Sequence, residues 1–423
     1  MSIKYFLLCC LLLAAPLAAD PPLTIAEMVD IALKNHPSTR QAWWNASRAA
    51  AVVGTAQSAY YPSVEVDATI QNGRDFKFIN GPDVDYTIIG ADLILNMMLL
   101  DFGERGANVK AAKMSLLAAN WQADWNIQKV MVAVLENAYM VLHAQEAVLA
   151  AQSSLQDAEK VLYTARELNR TGLTPISDVY SSQSTLSQMK MDLTQQKSTL
   201  DIQKGKLASS LGFSADVQLD LAPVELPQAP QQQQTDALID LAMRQRVDLM
   251  AKQAKLYESY AYQDKARSGY MPKVSFNGRG GANHALHDKT NAAQYRVALN
   301  LEIPLFNGFE TVYNNRKAYA ETQMTQEELS ALQLNIALEV LTSSRTLESY
   351  QEMLPDAEDN LNNALKAYES VLEKYRHGKE RIGEVSIAQR QLAAARVRYS
   401  DVKTRLLVSI ANLAFATGTL ECP

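Results

Sequence analysis

The chain has 423 residues, of which 48% are hydrophobic and 20% charged, with a net charge of −6. A chain of this length and apolarity buries a large core. The mildly acidic balance argues against nucleic acid, which selects basic surfaces.

The first element is a targeting segment. Lys4 precedes an apolar run from Tyr5 to Ala15, and Pro16-Leu-Ala-Ala19 offers a small-residue cleavage point. Residues 1–19 therefore read as a signal peptide. Cys9 and Cys10 fall inside it, which leaves Cys422 alone in the mature chain with no disulfide partner. No later stretch has 18 consecutive apolar residues, so a transmembrane helix is not expected. A membrane β-barrel carries a weaker signal and stays open.

A first structural repeat covers residues 20–212. Leu23-Thr-Ile-Ala-Glu27 opens a helix, with Thr24 and Glu27 spaced as a capping box. The helix breaks at His36-Pro37 and runs to about Tyr60, where Pro62 ends it. A strand pair follows over residues 63–99. Val64, Val66, Ala68 and Ile70 alternate with Ser63, Glu65, Asp67 and Thr69. After a loop from Asn72 to Asp83, Ile89, Ala91, Leu93, Leu95 and Met97 alternate with residues that include Asp92 and Asn96. Leu99-Leu-Asp-Phe-Gly103 closes the pair. An Ala-rich helical region then runs to about Asn169, with Val148, Ala151, Leu155, Ala158, Leu162 and Ala165 at alternating steps of 3 and 4. That spacing is a coiled-coil seam. Gly172 ends this arm, and a looser return arm reaches Gly212.

Residues 213–234 form a Pro- and Gln-rich linker, and the plan restarts over residues 235–418. Thr235-Asp-Ala-Leu-Ile239 opens a helix to about Gly269. Tyr270-Met-Pro-Lys-Val274 echoes Tyr60-Tyr-Pro-Ser-Val64, and a strand pair spans residues 273–306. Its second strand sets Tyr295, Val297, Leu299, Leu301 and Ile303 against Gln294, Arg296, Asn300 and Glu302. Leu305-Phe-Asn-Gly308 echoes Leu99-Leu-Asp-Phe-Gly103. A long helical region with Pro355 inside it leads to a second tip at Gly378, and a return arm ends at Thr417-Gly418, before the tail 419–423. Gly172 and Gly378 are 206 apart (378 − 172), whereas Pro62 and Pro272 are 210 apart (272 − 62). The length difference between the halves therefore falls in the strand pair.

Four strands with one apolar face cannot close a barrel alone, and an open edge does not survive in lipid. Three chains give about 12 strands, an even number within the membrane-barrel range. A soluble sheet covered by helices is the alternative. It is disfavoured by Glu65, Asp67, Asp92 and Arg296 on the polar faces, which suit a water-filled lumen. Tyr60, Tyr61, Tyr86, Tyr270, Tyr295 and Phe306 lie near strand ends, as interfacial girdles do.

The opening Leu23-Thr-Ile-Ala-Glu-Met-Val-Asp-Ile-Ala-Leu-Lys-Asn-His-Pro37 resembles the start of the outer-membrane efflux proteins, the TolC family. So do the paired Tyr-x-Pro-x-Val entries, the two Asp/Asn-containing strand exits and the two glycine tips, over about residues 23–418. The resemblance implies a mainly α fold with a small β part. Long antiparallel helical hairpins form an α-barrel, and four strands per chain enter a trimeric 12-stranded transmembrane β-barrel. It implies a homotrimer in the cell outer membrane, surrounded by lipid and extending into the periplasm. Such channels dock through a periplasmic adaptor protein onto an inner-membrane pump or secretion ATPase, and serve efflux or type I secretion. A periplasmic coiled-coil adaptor or an envelope structural protein is the alternative reading, although the adaptor does not need two strand pairs with apolar faces.

The resemblance also implies site residues. Docking falls to the tips, Thr171, Gly172 and Leu173 with His377, Gly378 and Lys379. The gate falls to Asp178 on the first hairpin and to Tyr375, Glu380, Arg381 and Glu384 on the second. The chain departs from the best-known member here, because Glu380 replaces a basic residue two after the tip glycine and Ile387 replaces an acid nine after it. The expected lock is Arg381 on Asp178, with Asp178 and Glu384 forming acidic rings. No enzyme is expected. The histidines at 36, 143, 284, 287 and 377 are scattered, no phosphate-cradling loop or nucleophile elbow occurs, and no cofactor or metal is implied.

Overall fold

The computed structural model describes residues 23–75, 84–217, 219, 221–222, 234–286 and 289–420. The targeting segment, most of the linker, the tip of the first strand loop, His287 and Cys422 lie outside the described residues.

The chain contains the same six elements twice. The first half is α1 (Ile25–Asn35), α2 (Pro37–Ser58), β1 (Ser63–Asp75), β2 (Val84–Leu100), α3 (Glu104–Arg170) and α4 (Ile176–Ser210). The second is α5 (Thr235–Gln245), α6 (Val247–Ser268), β3 (Lys273–Ala285), β4 (Thr290–Glu302), α7 (Glu310–Arg376) and α8 (Ile382–Thr417). Both α3 and α7 have 67 residues, about 100 Å at ~1.5 Å per residue. β1 and β3 keep the offset of 210 at both ends (273 − 63 and 285 − 75), whereas β2 and β4 start 206 apart (290 − 84), so the four-residue difference falls in the turn between the strands. β1 is longer than the sequence pattern suggests, since Asn72–Asp75 extend it instead of forming a loop, whereas β4 stops at Glu302, short of the expected end at 306.

Local chemistry sets the breaks. Thr24 and Glu27 form the expected capping box, with the Thr24 N–H donating to Glu27 Oε2 at 2.8 Å. His36 is extended because Pro37 follows it. The second half breaks at Arg246 without a proline, where the sequence suggests a continuous helix to Gly269. Arg246 is extended (φ −67°, ψ 121°) and only 2% exposed. Its guanidinium donates to both carboxylate oxygens of Asp248 at 3.0 and 2.7 Å, to Glu339 and to the Ala416 carbonyl, and it lies 5.0 Å over the Trp125 ring. These bonds replace the helical path.

The core follows the repeat. Met28, Ala32, Val130 and Val134 pack in one cluster. Their equivalents Leu238, Ala242, Ile336 and Val340 pack in another. Gly212 and Gly418 end the return arms in left-handed conformations (φ 82° and 74°) against the two breaks. A Cβ on Gly212 would lie 2.9 Å from the Asn35 carbonyl, and one on Gly418 would lie 3.1 Å from the Arg246 nitrogen.

The four strands form one antiparallel sheet in the order β1-β2-β3-β4. Its register unites the apolar sides. Val66 pairs with Leu93, Leu93 with Gly280 and Gly280 with Tyr295; Val64 pairs with Leu95, Leu95 with Gly278 and Gly278 with Val297. This face is bare, with Ile70 76% and Leu299 69% exposed. The opposite face is a polar ladder. Asp92 accepts from Arg279 and from Gln294 (3.2 Å), and Asn277 donates to Asn96 at 2.7 Å. β1 and β4 are open edges. Among the described residues no helix is long and apolar enough to cross a membrane.

Arg246→Ala strips the buried partner from Asp248. The expected loss is about 3–5 kcal/mol, and Arg246→Lys, which lacks the bidentate fork, should recover only part of it. Denaturant unfolding followed by helical circular dichroism measures both.

Candidate functional site at the hairpin tips

Both tips fold alike because each follows a helix that stops at a glycine. At the first, the Thr171 N–H donates to Glu167 O (3.1 Å), Gly172 takes φ 78°, and the Leu173 N–H returns to Leu168 O at 2.9 Å. At the second, the His377 N–H donates to Glu373 O (3.3 Å), Gly378 takes φ 67°, and the Lys379 N–H returns to Lys374 O at 2.9 Å. The last bond of each tip is the six-to-one bond of a Schellman motif. A Cβ at either glycine would meet nothing within 4 Å. Leu173 is 66% exposed at the end of a long rod, and His377 and Lys379 are exposed beside it in sequence order on the second tip.

Above the tips, Val161, Ala165 and Leu168 of α3 pack on Tyr368, Leu372 and Tyr375 of α7 and on Val385, Ala388 and Leu392 of α8. This cluster holds the two hairpins together. Acids of the first hairpin add a series of polar links to the second. The buried Tyr375 hydroxyl donates to Asp178 Oδ2 at 3.4 Å. Arg396 donates to Asp157 Oδ2 from both terminal nitrogens at 3.2 Å and to Ser154 Oγ at 3.2 Å. Lys403 and Ser400 donate to Glu146 at 2.7 and 2.8 Å. Burial, with the Asp178 carboxylate beside it, pushes the Tyr375 phenol up to about 12. The raised value favours the protonated donor in the fold. Its contribution to stability is complete below the ordinary tyrosine value of 10 and is lost as pH climbs to about 12.

Of the residues expected at the gate, Asp178 and Tyr375 come together. Arg381 does not reach Asp178 within the chain. It is the exposed N-cap of α8, and its backbone N–H donates to Glu380 Oε1 at 3.2 Å. Its guanidinium has no carboxylate partner among the described residues of the chain. Glu384 is exposed in the first turn of α8, where a negative charge suits the helix dipole. Asp157, Arg396, Glu146 and Lys403 are absent from the sequence reading. Their trace is faint: the otherwise apolar seam between α3 and α8 carries Ser154, Asp157, Gln389, Arg396 and Ser400. His284 pairs with Asn291 at 2.7 Å, and no group of metal-ligating side chains occurs among the described residues.

Comparison with known proteins accords with this architecture. The model of the outer membrane efflux protein family matches residues 28–213 and 238–419, the two structural repeats. Protein CyaE of Bordetella pertussis is 27% identical over 401 residues, covering 92% of this chain and 83% of the relative. Outer membrane protein TolC of Vibrio cholerae is 20% identical over 407 residues, covering 94% and 91%. The solved structure of the outer-membrane channel OprN superposes with a TM-score of 0.84 at 18% identity, covering 93% of this chain and 89% of that one. The chain belongs to the outer membrane efflux protein family and is a channel component of the outer membrane, not an enzyme.

Proposed function

We propose that three copies of this chain assemble into one passive export duct. Each copy contributes four strands to a closed 12-stranded barrel and its long helices to a periplasmic tunnel. The observation that carries this reading is the sheet itself, with one apolar face, one polar face and two open edges above helices of 67 residues. Closure by neighbouring copies places Ile70 and Leu299 against lipid and Asp92, Arg279 and Asn277 toward water. Lipid covers the apolar face. A periplasmic adaptor meets the tips, and an inner-membrane pump or secretion ATPase supplies the energy.

The periplasmic end closes through the links between hairpins. Asp178 and Tyr375 form the lowest link, and Asp157–Arg396 and Glu146–Lys403 follow along the same seam. Arg381 and Glu380, with no lock inside the chain, face the next copy. Asp178 and Glu384 recur three times around the axis as rings that favour cations.

Conductance of the purified channel in planar bilayers tests the gate. Tyr375→Phe and Asp178→Ala should each raise it, and the double variant should add little to either alone. One hydrogen bond of this kind nets about 0.5–1.5 kcal/mol, and three copies act on one opening step. Additive effects, or none, contradict a shared link. Docking is tested at the tips. Gly172→Trp and Gly378→Trp meet open space within the chain but force a left-handed backbone, at a cost of about 1–2 kcal/mol. The channel should still assemble while export in cells is lost. Export at the parental level rules out the tips as the docking surface.

A further inference from the structure

The two halves differ in one respect. α6 lies between two long helices, α3 and α7, whereas its repeat-equivalent α2 packs along its length against α3 alone. The face of α6 toward α7 is marked by Lys252 on Glu328, by the Ser259 carbonyl accepting from Thr322 at 3.3 Å, and by the Ala266 carbonyl accepting from Asn315 at 2.9 Å. Subtracting the offset of 210 gives Ala42, Ala49 and Ala56, the face that α2 turns to α3. The repeat thus reproduces one contact and leaves the other, α6 on α3, without its counterpart. That counterpart is α2 against an α7 that the chain itself does not supply.

The α6–α3 contact fixes its register. It is antiparallel, with Lys255 on Ser115 (3.5 Å) and Lys265 on Asn108 (2.8 Å). Ala261 and Ala111, each 0% exposed, fall at matching heights between these bonds, and Ala254 and Ala118, each 2% exposed, match just beyond the first. The repeat carries Ala254 to Trp44 (254 − 210) and Ala118 to Met324 (118 + 206). Trp44 is 64% exposed and Met324 58%, each on the outer side of its helix. Two positions buried in the contact within the chain are therefore a bare tryptophan and a bare methionine at the chain's two flanks. The charges also match. α2 carries Arg40 and Arg48 and no acid, and the stretch from Glu321 to Glu328 carries three acids, of which Glu328 also pairs with Lys252 and Glu321 with Lys317 inside the chain.

We infer that the outer face of α2 is covered by α7 of a second copy in the register that α6 adopts on α3, with Trp44 seated on Met324 of that copy. The inference rests on the proposed trimer and names the residues that join its walls. Methionine sulfur packs favourably on aromatic rings and adapts to their shape. Trp43, whose ring lies 4.4 Å from that of Trp44 in an edge contact, steadies the knob from the side. The joint between copies also differs in kind from the joint within a copy. Facing alanines let α3 and α6 approach closely, whereas Trp44 and Met324 hold the helix axes further apart.

Site-specific cross-linking tests the register. In a background lacking Cys422, Trp44→Cys with Met324→Cys is treated with a short bismaleimide after purification in detergent. A covalent three-chain band should appear on a denaturing gel. Neither single variant should give it, and Trp44→Cys with Leu338→Cys, displaced by about 21 Å along α7 at ~1.5 Å per residue, should not give it either. Both positions are exposed in the single chain, so the variants leave its core intact. Native mass of the same samples separates two failures. Trimers that do not link at Trp44 and Met324, or that link through Leu338 instead, overturn the register while the trimer stands. Monomers overturn the trimer with it.

Discussion

A strand edge cannot face hydrocarbon. Each peptide group left unpaired there costs several kcal/mol, and β1 and β4 each present a full row of them beside a face of Val64, Val66, Leu299 and Leu301. The rest of the molecule is consistent with this one constraint. The sheet is too small to curl onto itself, so its edges need strands from elsewhere. In the proposed trimer, identical chains supply them, with the β4 of one copy beside the β1 of the next. The polar ladder of Asp92, Arg279 and Asn277 then has an aqueous interior to face.

The same constraint reaches the helices. A ring of copies that closes the sheet must also close the helical wall below it, and the duplicated chain prepares for this. The contact of α6 with α3 inside one chain is a pattern for the contact between chains, because both halves share lengths, breaks and core positions. Met28 and Leu238, or Val134 and Val340, occupy equivalent sites in equivalent clusters. The halves diverge at the seam between the hairpins. The second hairpin carries Tyr375, Arg396 and Lys403, and the first carries the acids that receive them. Tyr375 is buried and the Asp157 and Arg396 side chains are only 12% and 20% exposed, so these links cost more to break than surface pairs do.

Much of the fold was legible in the sequence. Alternation along Val64–Ile70 and Tyr295–Ile303 identified the strands and their apolar face, Pro62 and Pro272 marked the strand entries, and Gly172 and Gly378 marked the tips. These signals are local and depend on backbone geometry that few residues tolerate. The break at Arg246 was hidden because no proline or glycine marks it; a buried guanidinium with three acceptor groups holds it, and those acceptors lie as far away as Glu339 and Ala416. The links between hairpins were hidden for a similar reason. Asp157 and Arg396 are 239 residues apart, and a polar residue on a coiled-coil seam reads as a weak heptad until its partner is known. Asp178 was recognised, but its partner within the chain is Tyr375 and not Arg381, since Tyr375 points into the seam whereas Arg381 caps an exposed helix start.

Native mass spectrometry of the protein extracted from membranes in mild detergent tests the closure requirement most directly. A single species of three chains, with its strands intact, is the predicted result. A folded monomer that inserts into bilayers and keeps its strands would contradict it, because four strands with two open edges would then have survived in lipid alone.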